Sequence, residues 1–276
     1  AWLDWHLRGG ERPALLADRV TYYVGGANEW RHAPALDAVA ASHRRFYLGG
    51  AANEAYEGFR SGQLAADAPE SAAVHTFRSD PLDTSALDVT QTRFFSLVAG
   101  GEIDDPSPGY QSQTLTFHSS RFEAPVTIAG QLELTLYLAI DAPDADIAAY
   151  VFAVLPDGTV RLLGSDVVRA RFRHGAPRPV TPGAIEPYRF DGFFWQAWEL
   201  PAGSLLRLNV APLNDPSMQK NFNSGGRLGY ETREDARVAT IDLHHDAEHP
   251  SHLTVPIAAA RPVADAATGD VTEIRP

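Results

Sequence analysis

Apolar and polar residues alternate strictly over residues 131–140, QLELTLYLAI. The aliphatic residues occupy every second position: Leu132, Leu134, Leu136, Leu138 and Ile140. Because successive side chains of a strand point to opposite faces, this period of two predicts a β-strand with one buried and one solvated face. Such a strand must bury its apolar face against another layer of structure.

The same period recurs along much of the chain. LLRLNV (205–210) and RVATIDL (237–243) alternate in the same way, and Pro156-Asp157-Gly158 predicts a hairpin turn between two further strands. DVVRARFR (166–173) also alternates. We predict that its apolar residues point inward (Val168, Ala170, Phe172) and its arginines outward (Arg169, Arg171, Arg173).

Many short strands between Gly, Pro and Asp turns, with almost no helical period, predict an all-β fold. The expected architecture is a jelly-roll β-sandwich of the galactose-binding-domain-like type. Residues 51–110 are less regular and are predicted to wrap the sandwich as long loops. The opening AWLDWHLRGG is the exception: its Trp and Leu spacing, with Gly9 and Gly10 as a stop signal, predicts a short helix.

Composition narrows the class of protein. The chain has 276 residues, 44% of them hydrophobic and 21% charged, which is typical of a globular protein with a sizeable core. Its net charge of −12 argues against a nucleic-acid or anionic-membrane partner. With no cysteine, disulfides and thiolate metal sites are excluded. Neither a signal segment nor an apolar run long enough to span a membrane is present, which favours the cytoplasm but leaves the compartment undecided.

The motifs of several enzyme classes are absent, including the nucleophile elbow G-x-S-x-G, H-E-x-x-H and the phosphate-binding glycine loops. Serine and histidine do occur together in TLTFHSS, as His118, Ser119 and Ser120. No third group that would activate a serine is marked there, so we interpret the segment as the solvated face of a strand. We predict no catalytic residue in this chain.

Two clusters have residue types that bind metals. HHDAEHPSH contains His244, His245, His249 and His252, and DAPDAD contains Asp141, Asp144 and Asp146. Imidazole density of this kind suits zinc, and hard carboxylate oxygens suit calcium. Both segments also fit polar turns between strands. A histidine metal site is further disfavoured because strands would carry adjacent ligands to opposite faces. We therefore predict neither a metal nor a cofactor and keep His244, His245, His249, Asp144 and Asp146 as candidate ligands.

FFWQAWEL (193–200) is the densest aromatic segment. Alternation predicts Phe194, Trp198 and Leu200 on the core face, and Phe193 and Trp195 on the other. Two large aromatics on an otherwise charged face indicate a docking patch or a platform for stacking a sugar ring, unless a loop covers them.

Read end to end, the chain resembles the C-terminal part of the cocaine esterase and X-prolyl dipeptidyl-peptidase (CocE/NonD) family of serine hydrolases. AWLDWHLRGG is similar to the family's helix F-x-x-W-L-K-G, which closes the catalytic domain. VTYYVGGANEWRHAP is similar to the following strand and M-G-x-N-x-W-R segment, matched by Gly26, Asn28, Trp30 and Arg31. LTFHSSRFEAPVTIAGQLELTLYLAIDAPDADI follows a further family pattern, matched by Glu123, Pro125, Gly130, Asp144 and Asp146.

This resemblance implies that residues 1–18 are the end of an α/β-hydrolase domain and residues 19–276 the C-terminal jelly-roll domain. The family's catalytic serine, acid and histidine then lie upstream, and His6 does not match that histidine. The implied function is non-catalytic: bracing the catalytic domain of the same polypeptide, bordering its acyl pocket and making oligomer contacts. The alternative is a carbohydrate-binding jelly-roll module. Ester and X-Pro peptide substrates both remain open for the parent hydrolase.

Overall fold

A computed structural model describes residues 2–50, 61–83, 113–213 and 218–259 of the chain. Over these ranges it has one α-helix, α1 (Trp2–Arg8), and fifteen strands, together with short 3-10 turns. The strands are β1 (Val20–Val24), β2 (Glu29–Ala33), β3 (Ala40–Gly49), β4 (Ser61–Ala65), β5 (Ala73–Ser79), β6 (Leu115–Ser119), β7 (Val126–Gly130), β8 (Glu133–Ile140), β9 (Asp146–Val154), β10 (Val160–Arg169), β11 (Ile185–Phe190), β12 (Gln196–Leu200), β13 (Leu205–Pro212), β14 (Ala239–His245) and β15 (His252–Ala258). No described helix is long and apolar enough to cross a membrane.

The predicted all-β, jelly-roll-like sandwich is confirmed. Hydrogen-bonded neighbours follow the order β10-β9-β13-β6-β4-β3-β15-β8-β14-β5, with β11 on β8, and β12 on β7. One cluster of buried side chains joins residues of β6, β9 and β13 to residues of β3, β8, β14 and β15, so the two halves of this path pack on each other. Each fully buried aliphatic side chain in that core contributes about 1.5–3 kcal/mol.

Strand β8 shows how the alternation builds the core. Leu132, just before the strand, and its four aliphatic partners along β8 are all essentially inaccessible to solvent, whereas Glu133 is exposed and Tyr137 half-buried. The predicted hairpin at residues 156–158 is also confirmed. Leu155 N–H donates to the Thr159 carbonyl across 2.8 Å, and Gly158 takes a φ of 90°, which suits glycine.

Two expectations are corrected. DVVRARFR does not continue as a strand: β10 ends at Arg169 and a 3-10 helix follows over Ala170–Phe172. The strand parity is lost there, so Phe172 is exposed and the Arg171 side chain is buried. The second correction concerns residues 51–110, because the described part at 61–83 contains strands β4 and β5 rather than loops alone. The rest of that range lies outside the described residues.

The predicted helix at the start of the chain is present as α1, and none of its residues is buried. It is followed by a separate two-stranded sheet in which β1 pairs antiparallel with β2. We call β1, β2 and their connecting turn the N-terminal hairpin. Its inner residues Val20 and Tyr22 pack with Ala33 and Ala129 of a small satellite cluster.

Candidate functional site

The N-terminal hairpin is fastened to the sandwich at Gly25. Its N–H donates to the Ala197 carbonyl (3.1 Å), and its own carbonyl accepts from the Glu199 N–H (2.9 Å), both on β12. A Cβ at position 25 would lie 2.5 Å from the Trp198 ring, so only glycine allows the backbone to approach this closely. Arg31 adds a polar link, because its Nη2 lies 3.2 Å from Glu199 Oε2.

The residues that carry the family resemblance in this segment form the hairpin turn. Asn28 takes a positive φ of 55°, a conformation that asparagine tolerates. Its Oδ1 accepts a hydrogen bond from the Tyr23 hydroxyl (3.1 Å). The Tyr23 and Trp30 rings then meet edge to face with centroids 5.3 Å apart. The turn therefore holds two aromatic rings together on the outer side of the hairpin.

These rings are two of several exposed apolar side chains in the first 36 residues. Sixteen large apolar side chains are exposed in the described chain, and seven of them fall within the first 36 residues: Trp2, Leu3, Leu7, Leu15, Tyr23, Trp30 and Leu36. We call these seven the N-terminal apolar surface. Trp30 is 51% exposed. Large apolar side chains mark interaction surfaces when they form one contiguous exposed patch.

The parity expected for FFWQAWEL is wrong at its first two residues. Phe193 is 1% exposed and belongs to the core, whereas Phe194 points to solvent. The reason is that β12 begins only at Gln196, so the preceding residues do not alternate as a strand does. Trp195 is 39% exposed, as expected, with the Tyr22 ring edge-on at 6.3 Å. A docking or ligand role for Trp195 stays a prediction, and Phe193 is not available for one.

The acidic candidates for a metal are bound by arginines. Asp144 accepts the Arg171 N–H (2.9 Å) and its Nε (2.5 Å), while Asp146 accepts Arg169 Nε (2.7 Å) and Nη2 (2.8 Å). Asn221 Nδ2 donates to both carboxylates, at 3.0 and 2.8 Å. We call these five residues the buried charge network. Burial raises the pKa of Asp144, and the Arg171 hydrogen bonds and charge oppose that shift.

The histidine candidates separate into two environments. His245 is fully buried, and its Nε2 lies 2.8 Å from Nδ1 of His75, a partner that the sequence did not indicate. Burial, with His75 nearby, lowers the pKa of His245 to about 4. His249 instead contacts Asp246 across 3.1 Å. Within the described ranges no group of three or more His, Asp or Glu side chains converges as metal ligands would.

The serine and histidine of TLTFHSS are buried rather than solvated, which corrects the earlier interpretation for His118 and Ser119. The Ser119 hydroxyl donates to the Ser120 carbonyl (2.8 Å) and accepts the Leu206 N–H (2.9 Å). Both of these contacts are to backbone groups. His118 Nε2 accepts from Arg207 Nε (2.9 Å), and burial lowers the pKa of His118 to about 4. This pair serves packing between β6 and β13.

The fold and these contacts define the class of protein as a β-sandwich. Its candidate residues Ser119, His118, His245, Asp144 and Asp146 are hydrogen-bonded to other groups of the same chain. The chain belongs to the family of the X-Pro dipeptidyl-peptidase C-terminal non-catalytic domain, whose model matches residues 16–254. This confirms the CocE/NonD-type resemblance noted in the sequence.

The chain is also similar to part of several longer proteins. The chain is 28% identical over 261 residues to the cocaine esterase of Rhodococcus sp. (strain MB1 Bresler), covering 93% of this chain and 45% of that protein. Its fold matches an α-amino acid ester hydrolase with a TM-score of 0.73 and 19% identity, over 93% of this chain and 43% of that one. An aminopeptidase from a marine sediment Thaumarchaeota archaeon gives 0.72 and 19%, over 94% and 43%. The chain thus spans less than half the length of these proteins.

Proposed function

We propose that this chain is the non-catalytic C-terminal domain of a serine hydrolase that cleaves esters or X-Pro peptides. In this proposal it braces an α/β-hydrolase catalytic domain and borders its acyl pocket. Support comes from the family assignment and from relatives more than twice as long that are named as an esterase, an ester hydrolase and an aminopeptidase.

The observation that carries the bracing role is the N-terminal apolar surface. Helix α1 is seven residues long with no buried residue, and a helix of that length is not stable in water by its own hydrogen bonds. Covering Trp2, Leu3 and Leu7 would remove apolar area from water at about 25 cal/mol per Å². The adjoining hairpin is held rigidly by Gly25 and Arg31, so Tyr23 and Trp30 are presented in a fixed position. A catalytic domain in the same polypeptide is the proposed cover.

Hydrolysis by the isolated chain tests the non-catalytic part of this proposal. The sequence has no nucleophile elbow, and the Ser119 hydroxyl is hydrogen-bonded to backbone groups, so p-nitrophenyl acetate and Ala-Pro-p-nitroanilide should be cleaved at the uncatalysed rate. The matched control is Ser119→Ala, which should give the same rate. Turnover above background that Ser119→Ala or Ser120→Ala abolishes would contradict the proposal.

A further inference from the structure

A cleft of about 1020 Å³ lies on the solvent side of the sheet, opposite the core. Four adjacent strands form its floor in the order β3, β15, β8 and β11. The charged and aromatic residues that line the cleft include Arg45, Tyr47, Glu133, Tyr137, Arg189 and Asp191. The intervening residues of the same strands, such as Phe46 and Leu253, belong to the core.

Strand register arranges these side chains in rows. Tyr47 pairs with His252, His252 with Thr135, and Thr135 with Arg189, so one row crosses all four strands. The next row runs from Arg45 through Thr254 to Glu133. Three strand spacings of about 4.8 Å make each full row about 14 Å wide. That width suits an extended ligand of a few rings.

The charged groups of the cleft are not neutralised by neighbours. Arg45, Arg189, Glu133 and Asp191 form no side-chain hydrogen bond or ion pair in the described chain. Arg45 and Glu133 stand two strands apart, about 9.6 Å between their backbones, and do not form an ion pair with each other. Two guanidinium groups and two carboxylates in the cleft are therefore available to a ligand. They present both donors and acceptors to whatever enters.

Aromatic rings lie among these charges. Tyr47 is half-buried with the His252 ring 5.7 Å away, and Tyr137 is half-buried with the His249 ring edge-on at 5.5 Å. Both tyrosines are therefore held in place by a neighbouring ring. A half-buried tyrosine offers an apolar face together with a polar hydroxyl.

We propose that this cleft binds a neutral oligosaccharide. Sugar hydroxyls donate to carboxylates and accept from guanidinium groups, and the C–H faces of sugar rings pack on tyrosine. An anionic ligand would meet Glu133 and Asp191, and a cationic one would meet Arg45 and Arg189, so the balanced charge favours an uncharged polyhydroxylated ligand. This site is separate from Trp195 and does not depend on the proposed role beside a catalytic domain.

The test is isothermal titration calorimetry of the 276-residue chain with maltotriose, cellotriose and xylotriose, each raised to about 10 mM, since millimolar affinity corresponds to only about −4 kcal/mol. We expect saturable one-to-one binding of at least one of them. Tyr47→Ala and Arg189→Ala should each weaken it about tenfold or more, because each removes a stacking face or a charged hydrogen-bond donor.

Tyr230→Ala and Arg12→Ala are the matched controls, as both residues lie outside the cleft, and they should leave the affinity unchanged. Thermal unfolding of each variant checks that the fold is retained. The proposal is overturned if none of the three trisaccharides gives saturable binding, or if tri-galacturonate binds more tightly than all of them. Binding that is lost in Trp195→Ala but kept in both cleft variants would also overturn it and would place the sugar at Trp195.

Discussion

Charged side chains are buried in the buried charge network, whereas large apolar side chains are exposed on the N-terminal apolar surface. In the first, Asp144, Asp146 and Arg171 are buried, and each is paired by partners from this chain. In the second, Trp30 and the helix residues Trp2 and Leu7 remain exposed. A buried charge is tolerated only when it is paired, and an exposed apolar cluster is tolerated best when something covers it. The buried charges are thus paired within the chain, whereas the apolar side chains of the N-terminal surface are not covered by the described residues.

The largest expected effect is at the buried network. Replacing Asp144 with Asn removes the negative partner of Arg171 and leaves a buried guanidinium uncompensated, so we expect the free energy of unfolding to fall by about 3–5 kcal/mol. Urea denaturation of the isolated chain measures this. Asp67→Asn, at an exposed residue, should change it by less than about 0.5 kcal/mol. Equal effects at the two positions would show that the network contributes nothing.

The link between the N-terminal hairpin and the sandwich can be broken at Gly25. Gly25→Ala forces a methyl group against the Trp198 ring, so we expect a loss of about 1–3 kcal/mol and weaker attachment of the N-terminal hairpin. Gly49→Ala is the control, because a Cβ there would meet its nearest neighbour at an ordinary 3.7 Å. The measurement is again the urea midpoint. An unchanged midpoint for Gly25→Ala would mean that the hairpin is not tightly docked.

Buried histidines should make the interior sensitive to acid. Burial holds the pKa of His118 and His245 at about 4 and also lowers that of His75. The unfolded chain takes up these protons near pH 6.5 and the folded chain only near pH 4, so stability is complete above pH 6.5 and is lost as pH falls through this window. We expect each of His118 and His245 to cost about 3 kcal/mol of stability between pH 7 and pH 4.

The control for this pH dependence is a pair of histidine variants. His245→Phe keeps an aromatic ring but cannot titrate, so its stability should depend less steeply on pH between 6.5 and 4. His6→Phe, on the exposed helix, should keep the parent slope. Parallel slopes for the parent chain and His245→Phe would show that His245 does not cause the loss of stability at low pH.

The alternation of the sequence predicted the sandwich because it depends on a local period that burial enforces strand by strand. It failed where a strand ended early. Arg171 was expected to point outward, and the 3-10 helix after Arg169 turns it onto Asp144, a residue distant in sequence. The predicted orientation of Phe193 was wrong for a similar reason, since Phe193 lies before β12 begins. His75 was missed because its contact with His245 depends on the pairing of β5 with β14, which the residue pattern does not contain.

The most direct test of the central claim compares one substitution in two settings. Trp30→Ser in the isolated chain removes a ring that is half exposed, so its thermal unfolding should change by less than about 1 kcal/mol. In the longer polypeptide that we propose, the ring is covered by the catalytic domain, and the same change should destabilise the assembly by about 2 kcal/mol or more, as measured by calorimetry. Tyr230→Ser, at a residue that is 68% exposed, should have little effect in either setting. Equal effects of Trp30→Ser in both settings would contradict the docking of this surface on a catalytic domain.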